Sequence, residues 1–346
     1  MNLARLWTIV TLELTQRVRS VAWYVLLGVF AAILLGVTAL SFLAFSWMGG
    51  SGPGAGGAIY SVIVYVVLLL VVLVSPTVAG NAVNGDRDQA TLAPVQVTLA
   101  TTGEIVLGKL VAAWVSGLAF LAVAVPFLAV ATIAGGLSPA ALAVSLLVLV
   151  IEIGVFAAIG VGLSALLARP LFSIASTYLV VAAFVIGTLI VFGLGGAAVR
   201  TEVESHSRYI TYEGSGTDYA CSGWETYTYE VPRFDRVWWV LAANPFVIIA
   251  DATPTAYDAY GNPTDLFGQI ASGVRMAQVV PETETWSDGC ADAQDYPSVR
   301  EQTDGLLPSW FVGLGVQLVV AGLLLWGGWA RTRTPARRLP PGTRVA

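Results

Sequence analysis

Charge is what this sequence has least of. Asp, Glu, Lys and Arg make up 11% of its 346 residues, against about 25% in an ordinary soluble domain. It holds one histidine and two cysteines. That scarcity excludes a metal or haem centre built on clustered His and Cys. His206 alone is no metal site, and the acidic residues show no EF-hand spacing. A Ser-His-Asp set facing one compartment is missing, as is a basic, aromatic-interleaved patch for nucleic acid. A phosphate-binding loop is missing too. Gly103-x4-Gly108-Lys109 has the Gly-Lys spacing, but Leu110 stands where Ser or Thr must hold magnesium, and no strand precedes it. The chain is therefore expected to carry no catalytic, cofactor or metal site of its own, and not to be an enzyme by itself.

What is there is apolar: 56% hydrophobic residues and a mean hydropathy of +0.77. No charged residue occurs from Ser20 to Gly85, a run of 66, nor over 110–151, 153–168, 170–199 or 305–330. One charge at mid-bilayer costs about 2.5–3.5 kcal/mol on insertion scales, and a membrane helix needs about 20 apolar residues. Gly- and Pro-rich breaks at 49–57 and 135–139 split the longer gaps. Six spans follow, near 22–47, 58–81, 109–133, 140–168, 171–197 and 309–330. The first apolar run, about 28 residues, exceeds the 7–15 of a signal-peptide core, so no cleaved leader is expected.

Orientation is set by Lys and Arg. With the N-terminus inside, the inner segments hold Arg5, Arg17, Arg19, Arg87, Lys109, Arg169, Arg331, Arg333, Arg337, Arg338 and Arg344. The short outer loops hold none. Both termini are then cytoplasmic in a multi-pass plasma-membrane protein. Trp23, Tyr24, Trp326 and Trp329 are expected at the inner interface, Trp47, Tyr60 and Trp310 at the outer one. Residues 2–19 place Leu3, Leu6, Trp7, Val10, Leu14 and Val18 at helical spacing, which predicts an amphipathic helix lying in the inner interface. The tail 331–346 is basic and Pro-rich and is expected near anionic inner-leaflet lipid.

Of 22 acidic residues, 17 fall between Glu202 and Asp304. Residues 199–308 thus form a polar extracytoplasmic domain between the fifth and sixth spans. Both cysteines, Cys221 and Cys290, lie in it, and on an oxidising face they are expected to pair. Two short apolar stretches, 237–241 and 246–250, suit re-entrant or interfacial helices, or the core of that domain. The fold expected is all-α integral membrane: a cytoplasmic helix over 1–20, five spans within 21–198, the outer domain, a sixth span over 309–330 and the tail.

The loop between the second and third spans, about 82–106, reads Asn84-Gly85-Asp86-Arg87-Asp88-Gln89-Ala90-Thr91-Leu92, with Ala100-Thr101 and Gly108-Lys109 beyond it. It resembles the first cytoplasmic loop of membrane subunits of type-2 ABC exporters, which typically reads Gly-Glu-Arg-Glu-x-Gly-Thr-Leu-Glu, then an Ala-Thr-Pro-like turn and Gly-Lys. The departures are Ala90, Ala93 and Thr102. Ala243-Asn244-Pro245-Phe246 and Ala250-Asp251-Ala252 resemble strings found before the last span of such proteins. The resemblance implies a permease in a prokaryotic-type cell membrane. It would pair with a second copy or a homologue and with two separate ATPase subunits that carry ATP and magnesium. It further implies that Asp86, Arg87, Asp88, Gln89, Thr91 and Leu92 contact the ATPase, and that the N-terminal helix touches the same partner. Membrane lipids are the other expected partners; nucleic acid is not.

Glu152 is the ionisable residue deep inside a span, a candidate for a substrate pathway or gate. The competing reading is a structural carboxyl bonded to a neighbouring helix, with Gln317 as a neutral partner. Gly154, Gly160 and Gly162 on the same helix suit close packing. A different function class stays open: a membrane-anchored sensor or assembly factor whose outer domain binds a ligand and carries nothing. The substrate is not legible.

Overall fold

A computed structural model of the chain describes residues 2–47, 55–88, 101–212, 219–291 and 297–332. Helix α1 runs over Leu3–Val18, α2 over Val21–Trp47, α3 over Ala55–Ala79 and the short α4 over Asn84–Asp88. Next come α5 (Thr102–Ile133), α6 (Pro139–Leu166) and α7 (Pro170–Ala182), which passes through a π-helical turn at Ala183–Gly187 into α8 (Thr188–Ala198). The last long helix, α13, covers Trp310–Thr332. Among the described residues six stretches are long and apolar enough to cross a membrane: Val21–Trp47, Gly56–Asp86, Thr102–Ile133, Pro139–Leu166, Pro170–Ala198 and Trp310–Thr332.

Their ends follow from local chemistry. Pro139 and Pro170 sit at the first turns of α6 and α7, where a missing N–H costs nothing. The third span starts at Thr102, not near 109 as its charge pattern suggested. A capping box explains the shift: Thr101 Oγ1 accepts from Glu104 N, and Glu104 Oε2 accepts from Thr101 N at 2.8 Å. The last residues assigned to the loop of 82–106 are thus helical.

Helix α6 is the centre of the bundle, packed against α3, α5, α7 and α13. In the spans at α3 and α6, 56% of the most apolar window is buried inside the chain; for α2 and α7–α8 the figure is 17%. The latter two therefore form the outer faces. Helices α6 and α13 cross with their backbones in contact. A Cβ on Gly162 would lie 2.7 Å from Leu324 C, and one on Gly328 would lie 2.8 Å from Gly162 O. Helices whose backbones touch gain by dispersion and exact fit, which is the usual cohesion inside a bilayer. Tyr60, near the start of α3, is fully buried within the chain, with its hydroxyl 2.9 Å from Ser145 Oγ.

Segment 199–308 corrects the all-α expectation. Strand β1 (Arg200–Arg208) pairs antiparallel with β4 (Glu225–Pro232) and parallel with β5 (Glu284–Asp288). Strands β2 (Ile210–Tyr212) and β3 (Tyr219–Cys221) form a separate ribbon. Cys221 and Cys290 are joined in a disulfide, Cα atoms 6.0 Å apart. Nor is the segment one water-exposed unit. Its middle forms α9 (Trp238–Ala242), α10 (Pro245–Ala252) and α11 (Leu266–Met276), which pack on the bundle. Ile248, Ile249 and Phe267 belong to the main core and have no exposed surface. The short apolar stretches are thus core helices closing the end of the bundle opposite α1. Helix α12 (Val299–Thr303) leads on to α13.

Candidate functional site

The densest polar structure within the bundle lies at the α1 end, where α1, α4 and α5 meet. Lys109 is the only lysine of the chain. It sits in the second turn of α5 with its side chain 3% exposed. Its ammonium pairs with Glu13 of α1 and, at 2.7 Å, with Asp86 of α4. A cation this deep is tolerable only when paired, and two carboxylates surround it. Glu104, one turn earlier, joins the starts of both helices: it accepts from Thr101 N and, at 2.5 Å, from Asn2 N. Ser164 of α6 completes the junction. Its Oγ accepts from Val83 N at 2.9 Å and from Asn84 N at 3.1 Å, fixing the turn that enters α4.

Helix α1 is held against α5 by shape as well. A Cβ on Gly108 would fall 2.9 Å from Ile9 Cγ2, so only glycine lets the helices come this close. Val10 is fully buried there, while Leu3, Trp7 and Val18 stay largely exposed. The spacing of residues 2–19 predicted a helix here, and one is present over Leu3–Val18. That reading missed that Glu13 and Arg17, three and seven residues after the buried Val10 and so on its face, turn into the protein. Arg17 Nη1 donates to Ser116 Oγ and Nη2 to Val78 O, each at 3.0 Å.

Of the residues expected to contact a partner, Asp86 is turned inward onto Lys109 and serves as an anchor of α4. Arg87 and Asp88 complete α4. Gln89, Thr91 and Leu92 lie outside the described residues. Glu152 is fully buried on α6, facing the last span. Gln317 of α13 approaches it, but the Gln317 amide nitrogen donates to Ala243 O at 3.0 Å. Both Glu152 carboxyl oxygens and Gln317 Oε1 are left without a partner in hydrogen-bond geometry.

A second polar cluster, at the opposite end, involves the two strings noted before the last span. Asn244 caps α10 by accepting from Phe246 N at 3.0 Å, and its amide donates to Val185 O and Thr188 Oγ1, each at 2.9 Å. It thereby satisfies a carbonyl in the π-helical turn, where the regular ladder is broken. Asp251, buried, accepts from Arg275 Nε at 2.6 Å, from Ser309 Oγ at 3.0 Å, and from the backbone N–H groups of Ser309 and Trp310. It caps α13 from another helix, where a negative charge is favoured by the helix dipole.

Among the described residues no group of three or more His, Cys, Asp or Glu could hold a metal. The arrangement makes α1, α4 and the start of α5 one polar-locked unit. No protein-family model matches the sequence, and no curated protein matches it either.

Proposed function

We propose that this chain is the membrane subunit of an ATP-driven transporter of the type-2 ABC exporter kind, working with a separate ATPase. The carrying observation is the Glu13–Lys109–Asp86 junction, which couples the loop motif to both the N-terminal helix and a span. A push delivered at α4 and residues 89–92 would move α1 and α5 together, because sliding them apart would strand buried charges. In this reading the α1 end is cytoplasmic and residues 199–308 reach outside. Arg87, Asp88, Gln89, Thr91 and Leu92 meet the ATPase, which brings ATP and magnesium, and Asp86 anchors that surface. Two permeases and two ATPases would form the working unit, with Glu152 near the moving α6–α13 contact.

The test is purification of the tagged full-length chain from its host in mild detergent. A nucleotide hydrolase should co-purify in stoichiometric amount, and its turnover in liposomes should require the chain. Absence of any hydrolase, or labelling of residue 86 from the exterior, would sink the reading.

One observation favours a ligand-sensing alternative. Trp224, just before β4, and Trp286, on β5, are 44% and 58% exposed, with Arg208 over the Trp224 ring at 4.8 Å and His206 stacked on Trp286 at 4.1 Å. Exposed aromatic platforms of this kind suit recognition. A chain that binds a ligand there and never engages an ATPase would be a sensor.

A further inference from the structure

Glu152 stands near the middle of α6 and has no exposed surface. Its surroundings are dry. Leu149 and Ile153 beside it, Ile248 of α10 and Ala321 of α13 all belong to the main core. Gln317, fully buried as well, approaches from α13. The Gln317 amide nitrogen is spent on Ala243 O at 3.0 Å. What is left at the α6–α13 contact is three oxygens without a partner, Glu152 Oε1 and Oε2 and Gln317 Oε1. All three accept and none donates.

The elements packed on α6 bring no cation to this depth. The spans at α3, α7 and α8 carry no Asp, Glu, Lys or Arg. Glu104 and Lys109 of α5 and Arg331 of α13 lie at the α1 end of their helices. Asp251 of α10 is held by Arg275 and Ser309. The tyrosines on these helices are Tyr60, bonded to Ser145, Tyr65, packed on Phe246 and Phe267, and Tyr178 of α7. A lone carboxylate in apolar surroundings is among the costliest groups to bury, and it neutralises itself instead. Adding one proton converts an acceptor into the donor that the site lacks. Hard metal cations take about six or more oxygens, and here three stand empty.

We propose that the α6–α13 contact is a proton-binding site: Glu152 holds the proton, presents it toward Gln317, and the neutral pair pins the last span to the centre of the bundle. Gly162 and Gly328 bring the two backbones together along the same contact, and that closed crossing takes the neutral acid. When it opens, water enters, the carboxyl O–H bond breaks, its electron pair stays on Glu152 and water carries the proton away. Closing takes one proton up. Proton binding and closure therefore favour each other. The site belongs to the helical bundle and stands with or without an ATPase.

The experiment reads the proton and its coupling separately. Infrared spectra of the full-length chain in lipid bilayers at neutral pH should show a protonated-carboxyl C=O band. Glu152→Gln should lack it, and Gln317→Leu should move it to higher frequency. Limited proteolysis within 310–332, in detergent, reads the opening. An opening that releases one proton becomes about tenfold easier per pH unit. Wild-type cleavage should therefore accelerate with rising pH relative to Glu152→Gln, which is neutral throughout. Absence of the band, its persistence in Glu152→Gln, or the same pH profile of cleavage in both proteins would overturn the proposal. So would a thermal midpoint raised by sodium over choline in the wild type and not in Glu152→Gln, since the site would then hold a metal cation. If Glu152→Gln does not fold, a band left unmoved by Gln317→Leu overturns it equally.

Discussion

Lys109 shows how much one side chain can settle in an apolar protein. Its ammonium is shared by Glu13, 14% exposed, and Asp86, 30% exposed. Lys109→Met would keep the volume and leave two neighbouring carboxylates without their cation. Removing one partner of a buried pair costs about 3–5 kcal/mol, and the partial exposure of Asp86 puts the expectation near the lower end. Thermal unfolding in detergent, followed by helical circular dichroism, should show a clear drop in midpoint, with partial recovery in Glu13→Gln/Lys109→Met. An unchanged midpoint would mean the cation is idle. The sequence made the presence of these charges visible but not their pairing. Glu13 and Lys109 are 96 positions apart, and nothing in a linear pattern connects them. The available signal was that a lysine opening a long uncharged run needs an acid at its own depth. Asp251 and Asn244 were equally hidden, since their strings were noticed only by likeness and not for what the side chains bond.

At the level of elements, the spans were legible because a bilayer imposes length and forbids charge, and both constraints can be counted. Their starts were less so. Placement of α5 from its charge pattern alone overlooked the Thr101–Glu104 box, a short polar signal that extends a helix beyond its apolar run. Close packing through glycines was foreseen on α6, but the partner was not, because small residues name no neighbour. The α6–α13 crossing depends on Gly162 and Gly328, each with backbone or a Cβ of the other helix within 3 Å of where its own Cβ would stand. Gly162→Leu would force the helices apart and expose the partner-less Glu152 and Gln317 polar atoms to lipid. Large overpacking costs run to about 1–3 kcal/mol or more. The expected outcome is a lower yield of folded protein and faster proteolysis at 310–332, while the disulfide still forms. Wild-type protease resistance would remove the crossing from the list of things that hold the bundle.

The whole molecule divides into a helical body and a sheet, and each answers to different conditions. The acidity and cysteines of 199–308 were visible in the sequence, as were the apolar stretches that form α9 and α10; that these pack on the bundle was not, because a short apolar stretch names no neighbour. Acid should separate the two parts. Arg208 donates to both carboxylate oxygens of Asp288 and holds the acid down to about 2, with Cys290 N also bonding to it. A folded-state value below the ordinary 3.8 means the contribution is complete above about pH 4 and lost as pH falls toward about 2. Fluorescence of Trp224 and Trp286 should therefore change in that window while helical content persists; Asp288→Asn should flatten the change. Coincident loss of both signals would show that the parts unfold as one.

Asp251 also has a topological consequence. It grips Arg275 on one side and the Ser309–Trp310 turn on the other, so the excursion of 277–308 leaves and re-enters through a clasped neck. The first excursion has its own clasp, where Arg233 N donates to Gly196 O and Val199 O. A loop whose ends are already held together can change length at small entropic cost. The sheet is in this sense an interchangeable headpiece, free to be rebuilt by evolution or by a protein engineer while the helical chassis beneath it keeps its shape.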